Sequence, residues 1–206
     1  MGLLMKKRSQ SFEKTAETRR KIIMSALIQF NSFGFAKTKI EAIACGAGVA
    51  KGTIYSYYDT KEKLFEGVVD YLIKETYHPI QSSEFNEEQS VQAFILEKML
   101  PGMKNIEQAG RADIARLVLS EGKYFSDILE LYRKKIYESG LNELSKLIQI
   151  AKKRNELPET TCENLTAALI IAPIWLGIIH NGLLLPNIPL DIQKMFELNV
   201  NSLFKK

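Results

Sequence analysis

Apolar residues recur every three or four positions along the chain, and no stretch alternates apolar with polar residues as a half-buried strand does, so the pattern predicts an all-α protein. Ile22, Ala26 and Phe30, with Ile23 and Leu27 beside them, form one stripe and predict a helix over about 13–33, ended by Gly34. Thr38-Lys39-Ile40-Glu41 reads as a capping box in which Thr38 satisfies helix amides and Glu41 reaches back to the cap amide. The helix it opens is short, because Gly46 and Gly48 interrupt it. A third helix is expected over about 49–57, and Asp59-Thr60-Lys61-Glu62 supplies a capping box for a fourth. Leu64, Val68 and Leu72, flanked by Phe65 and Val69, carry that fourth helix to about residue 77, before Pro79.

From about residue 86 the periodicity predicts helices over 86–107, bent near Pro101-Gly102, and then 111–121, 124–154, 159–185 and 190–204. The connections are short, as in a helical bundle. Between Ala167 and Ile179 there is almost no polar face. That run is too short to span a bilayer and contains Pro173, so it predicts a helix covered by its own domain or by a second subunit. A basic arm over 1–12, a small helical domain over 13–63 and a larger one over 64–206 complete the expected organisation.

Charge changes this picture. Residues 1–63 hold 12 Lys/Arg against 5 Asp/Glu, a net +7, whereas residues 64–206 hold 16 against 19, a net −3. Such asymmetry points to a polyanion partner at one end of the chain, nucleic acid or an anionic membrane surface. Cys45 and Cys162 sit in apolar surroundings and read as buried, reduced thiols, which with the absence of a signal peptide suggests a cytoplasmic protein.

Two short helices joined by a glycine-containing turn form a helix-turn-helix. Ala44 is small enough for the two helices to approach, Gly48 permits the turn, and Val49 and Ile54 face the first helix. Lys51 and Tyr55 share the opposite face, with Gly52 and Thr53 in the first turn, the part of a recognition helix that enters the major groove. Glycine costs about 1 kcal/mol in a helix relative to alanine, so Gly52 suggests close approach of the backbone to another surface. Tyr57 and Lys61 lie where the backbone of a duplex would run.

The run Thr38…Ile43-Ala44…Ala47-Gly48-Val49-Ala50-Lys51-Gly52-Thr53-Ile54-Tyr55…Tyr58…Lys61-Glu62…Leu64-Phe65, with Ile22…Ala26…Phe30…Gly34 before it, closely resembles the DNA-binding signature of TetR-family transcriptional regulators. The resemblance covers roughly residues 15–72. It implies a homodimer with a three-helix DNA-binding domain and a roughly six-helix domain for ligand sensing and dimerisation. It implies further that Thr38 caps the second helix near a phosphate, that Lys51, Gly52, Thr53 and Tyr55 meet the groove and backbone, and that Tyr57 and Lys61 contact phosphate. Three positions depart from the family pattern: Ala50 replaces the usual Ser or Thr cap, Tyr57 a common His, and Tyr58 a common Phe.

The partners implied are double-stranded operator DNA, a small apolar or amphipathic effector and a second copy of the chain, with the fourth helix as the coupling element. Arg116, Tyr124, Tyr132, Trp175 and His180 are candidate cavity residues, and Trp175, Leu176, Ile179, Leu183, Phe196 and Val200 are expected at the dimer interface. With only His78 and His180 there is little material for a metal site or a histidine relay, and no cofactor is expected. Gly46-Ala47-Gly48 follows no strand, which discounts a dinucleotide loop, and no nucleophile elbow or P-loop occurs, so an enzyme is not expected. A regulator controlled by a partner protein rather than an effector is the alternative kept open, a small-molecule-binding enzyme the remote one.

Overall fold

A single glycine breaks the first helix. The computed structural model describes the backbone of residues 2–76 and 79–204 and the side chains of 14–75 and 79–204. The helical span α1 (Gly2–Lys37) is interrupted at Gly34, whose φ of 77° and ψ of 171° suit glycine alone. The basic arm expected over 1–12, like His78, lies outside the residues whose side chains are described.

After α1 come α2 (Ile40–Ala47), α3 (Lys51–Tyr57) and α4 (Lys61–Thr76). A 3-10 turn, Ser82–Glu84, precedes α5 (Val91–Lys104), and α6 (Arg111–Glu121) follows with the predicted bounds. The long helix expected over 124–154 is α7 (Ser126–Tyr132) and α8 (Ser139–Lys153), joined by a π-helical turn at Arg133–Glu138. The next is α9 (Glu163–Ile179), which runs on into a second π turn at His180–Leu184, and α10 (Ile192–Leu203) closes the fold. Among the described residues there is no strand.

Both expected capping boxes form differently. Lys39 takes the cap position of α2 without a side-chain bond, and Thr38 turns back to donate to the carbonyls of Gln29 (3.0 Å) and Gly34 (2.6 Å), so it closes α1 rather than opening α2. At α4 the Thr60 hydroxyl, not Asp59, accepts the Lys63 amide at 3.1 Å. Helix α5 begins late, at Val91, because Ser90 caps it by accepting the Ala93 amide at 3.1 Å.

Two apolar cores meet end to end. The first joins Ile22, Ala26 and Phe30 of α1, Ile43 of α2, Ile54 of α3 and Leu64, Phe65 and Val68 of α4, and extends to Leu117 and Val118 of α6. The expected division at residues 63/64 therefore falls at the start of a helix whose buried residues, Leu64 to Leu72, belong to the amino-terminal core. Phe35 is central, with its ring 5.6, 5.7 and 4.9 Å from those of Phe30, Phe65 and Phe125. The second core packs α5, α6, α8, α9 and α10 around Phe94, Leu144, Leu147, Ile170 and Phe196.

Phe196 and Val200, expected at a subunit interface, are completely buried in this second core, because α10 turns their stripe toward α5 and α9. Cys45 and Cys162 are also corrected, both being exposed free thiols.

Candidate nucleic-acid interface and ligand cavity

Helices α2 and α3 are held by small residues at their closest points. Gly48 ends α2 in the left-handed region (φ 66°), and the Val49 amide reaches back to the Ala44 carbonyl at 3.0 Å, so the chain reverses without a side chain in the way. Gly46 matters too, in a way the pattern of residues did not disclose. A Cβ there would lie 2.4 Å from the Ser25 hydroxyl, which itself donates to the Ile43 carbonyl at 2.8 Å and ties α2 to α1. Ile54 is the one fully buried residue of α3.

The rest of α3 faces outward. Lys51, Gly52 and Ser56 are exposed, Thr53 is half-buried, and Tyr55 keeps 43% of its surface open. A Cβ on Gly52 would meet nothing within 4 Å, so no contact inside the chain requires glycine there. Ala50 occupies the α3 cap position without a side-chain bond, in line with its apolar side chain.

Two neighbours of α3 were not legible as partners. Glu41 on α2 accepts the Lys51 ammonium at 2.5 Å, and that ammonium stands 5.8 Å from the centre of the Tyr55 ring. Their hydrogen bond holds the Glu41 carboxyl below its usual range and the Lys51 ammonium above its own. Arg19 of α1 donates to the Tyr58 hydroxyl at 3.1 Å, and Tyr58 is buried over Gly67, where a Cβ would sit 2.6 Å from its ring. The hydroxyl that distinguishes Tyr58 from phenylalanine thus serves packing between α1 and α4. Tyr57 is half-buried, its ring 6.5 Å from that of Tyr58.

Lys61 is placed otherwise than its expected role suggests. Its ammonium donates to the carbonyls of Phe35 (2.8 Å), Ala36 (3.3 Å) and Thr38 (3.3 Å) and lies 4.5 Å from the centre of the Phe35 ring. A cation suits the carbonyl end of α1, and all three ammonium protons have a partner within the chain.

A cavity of some 400 Å³ lies between α4, α5, α6, the first π turn, α8 and α9. Its wall is mainly Ile, Leu and Met, with Tyr132, Tyr137 and Trp175 as the aromatic part. Residues five apart on an α-helix point about 140° apart. The i→i+5 winding between Tyr132 and Tyr137 brings both back to one side, where their rings stand 6.3 and 6.0 Å from Trp175, edge to face.

Of the five residues expected at a cavity, Tyr132 and Trp175 line it and the other three lie elsewhere. Tyr124 is 76% exposed. Arg116 pairs with Glu107 (2.7 Å) and Asp113 (2.5 Å) and donates to the Ile178 carbonyl at 3.0 Å; the two carboxylates, Glu107 foremost, raise its pKa. His180 bonds the Ile188 carbonyl through Nε2 at 3.0 Å and secures the turn before α10.

On the outer side of α9, Leu165, Leu169, Leu176 and Leu183 are each at least half exposed, joined by Leu198 of α10. Of the residues expected at a dimer interface, Leu176 and Leu183 are exposed, Ile179 is half-buried, and Trp175 faces the cavity. Residues 163–184, a longer window than the Ala167–Ile179 run, are long and apolar enough to cross a membrane by length and composition, and 28% of that window is buried within the chain.

Residues 22–68 match the family model described as bacterial regulatory proteins, tetR family. Over 58 residues, 28% of this chain and 30% of the relative, the sequence is 40% identical to an uncharacterized HTH-type transcriptional regulator, YhgD of Bacillus subtilis (strain 168). Over 180 residues, 85% of this chain and 84% of the relative, it is 26% identical to the HTH-type transcriptional regulator TtgR of Pseudomonas putida. Among solved structures, SmeT, the repressor of the Stenotrophomonas maltophilia multidrug efflux pump SmeDEF, superposes with a TM-score of 0.70 at 16% identity, over 90% of this chain and 89% of that one. The fatty acid degradation regulator FadR from Bacillus halodurans gives a TM-score of 0.65 at 19% identity, over 90% and 97%. At those identities the two structures share the fold alone.

Proposed function

We propose, from the premise that this chain is a TetR-family transcriptional regulator, that it acts in the cytoplasm as a homodimeric repressor. It binds a palindromic operator through α3 and leaves it when a small apolar or amphipathic effector fills the cavity. The observation that carries this reading is the outward face of α3: Lys51, Gly52 and Tyr55 are open and Thr53 is half-buried beside them, while Ile54 anchors the helix beneath them. Side chains with no packing duty, on a helix braced by a tight turn, are free to meet base edges and phosphates.

In this reading Tyr55 and Thr53 meet the groove, and Gly52 lets the backbone approach the duplex. Lys51 reaches base or phosphate once it leaves Glu41, and Tyr57 flanks the phosphate backbone, whereas Thr38, expected near a phosphate, is buried with its hydroxyl on the Gln29 and Gly34 carbonyls and, like Lys61, acts by holding the turn before α2. The leucine stripe of α9 and Leu198 pairs with its copy in a second subunit, which removes the apolar surface from water.

Two helices connect cavity to duplex. Val69, Leu72 and Ile73 of α4 and Ile114 of α6 line the cavity, and α4 begins at the helix-turn-helix. An effector that binds better to one separation of the two recognition helices shifts the population toward it, and a separation that mismatches successive major grooves releases the operator.

Selection of bound duplexes from random double-stranded DNA, followed by gel retardation across a salt series, tests the proposal. A palindromic consensus with a half-site spacing near one helical turn or a multiple is expected. Recovery of duplexes with no common sequence would show that α3 reads no bases and would overturn it.

A further inference from the structure

The break near the end of α1 has an opening where Gly34 carries no side chain, and a carboxylate from the carboxy-terminal domain occupies it. Glu121, the last residue of α6, accepts the Phe35 amide on Oε1 at 3.0 Å and the Ala36 amide on Oε2 at 2.7 Å. A Cβ on residue 34 would lie 2.1 Å from Oε1, so the site exists only because that residue is glycine. Lys61 holds the carbonyls of Phe35, Ala36 and Thr38 in the same turn. Both polar edges of this backbone are therefore gripped by charged side chains, one from within the helix-turn-helix and one from the domain behind it.

The other contacts of α6 give the grip a direction. Ile114 of α6 borders the cavity. Arg116 fastens α6 to the end of α9 through the Ile178 carbonyl and fills the space beside Gly182, where a Cβ would lie 2.4 Å from its Cδ. Asn31 of α1 donates to Asp113 at 3.2 Å, and Leu27 packs 3.3 Å from where a Cβ of Gly110 would stand. One short helix thus touches the cavity wall, the helix that carries the exposed leucine stripe and the base of the DNA-reading unit, which its last residue meets through two backbone amides.

We infer that Glu121 is a positioning residue for operator binding: it latches the helix-turn-helix to the end of α6 and so fixes the separation of the two recognition helices in the dimer. The inference rests on the proposed function. Its bonds to two amides are charge-assisted and directional, which sets an angle as well as a distance. Because Ala36 is exposed, water can replace the carboxylate there, so loss of the latch loosens the angle without unfolding the turn.

A residue that merely capped the turn would support each half of the dimer separately, and a latch acts on the spacing between halves. The test measures binding of the full-length wild type, E121A and E121Q to one half-site and to palindromes whose spacers differ by single base pairs. For E121A, half-site affinity is expected to stay within about twofold, while affinity for the preferred spacing falls roughly tenfold and the discrimination between spacings narrows. E121Q, which keeps one acceptor oxygen, should fall between. Unchanged spacing discrimination in E121A, or an equal loss on half-site and palindrome, would overturn the latch. Absence of any palindrome preference in the wild type would instead remove the operator reading itself, and with it this inference.

Discussion

The face of α3 and the face of α9 are both left uncovered, yet they are uncovered in opposite ways. Around α3 the exposed groups are Lys51, Tyr55 and Ser56, with Thr53 half-buried beside them, all polar or amphipathic, on a helix held by one buried side chain, Ile54. Along α9 the exposed groups are Leu165, Leu169, Leu176 and Leu183, and the opposite side of the same helix buries Ile170 and Ile178 in the second core. A polar surface is stable in water while it waits for a polyanion, and affinity for DNA then depends on charge and salt. A leucine stripe gains from permanent cover. The difference teaches that transient and lasting partners can be told apart by what each leaves exposed.

The largest effect should come from the leucine face. Leu176→Asp with Leu183→Asp leaves the subunit core intact, since both side chains are exposed, but places two carboxylates on the stripe. Monomers by light scattering and loss of nearly all palindrome binding are expected; a persistent dimer would show that α9 has no such role. The polar face should respond more gently. Tyr55→Ala is expected to weaken the selected operator by roughly ten- to a hundredfold while leaving non-specific DNA nearly unchanged, as measured by competition titration. An equal loss on both kinds of DNA would reduce Tyr55 to a packing residue.

Smaller still, and on neither face, is Lys61→Ala. Since its ammonium holds three carbonyls, it should lower stability by about 1 kcal/mol, a fall of roughly 2–4 °C in Tm, and hardly alter the salt dependence of DNA binding. A drop of one in the salt slope at unchanged Tm would return Lys61 to the phosphate backbone.

The smallest effect concerns Glu143, which accepts from the Ser82 amide (2.7 Å) and hydroxyl (2.6 Å) and from Lys146 (2.5 Å), holding its carboxyl down at about 2. Lys146 contributes the largest part, followed by Ser82. A folded-state value below the unfolded one adds stability that is full above about pH 4.5 and is lost as pH falls toward 2. Glu143→Gln should therefore flatten the acid side of the Tm-against-pH curve, and an unchanged curve would mean that solvent already screens this pair.

The small domain was readable for a local reason: helix, glycine turn and recognition helix lie within one short run, and the spacing of Ile43, Gly48 and Ile54 directly sets what touches what. Helix α6 was readable too, because Gly110 and Gly122 bound it. The capping boxes were not, since Thr38 had the end of α1 as well as the start of α2 within reach, and Asp59 and Thr60 are adjacent residues both able to cap α4. The cavity eluded the sequence because Tyr132 and Tyr137 meet Trp175 only through a π turn, which the apolar spacing does not announce. Arg116 and His180, plausible there by residue type, serve an ion-pair cluster and a turn.

By itself the sequence determined that the chain is helical, that a basic helix-turn-helix begins it, and which residues of α3 look outward, since these depend on periodicity and on contacts between near neighbours. Only the tertiary structure decided that the apolar face of α10 with Phe196 and Val200 is covered by its own subunit while Leu198 is exposed, and that Glu121 meets the Phe35 and Ala36 amides some 85 residues away. The physical reason is that an apolar helix face satisfies the same periodicity whether its own domain or a second subunit covers it. The choice between the two is made by the shape and polar groups of distant elements, to which local spacing is blind.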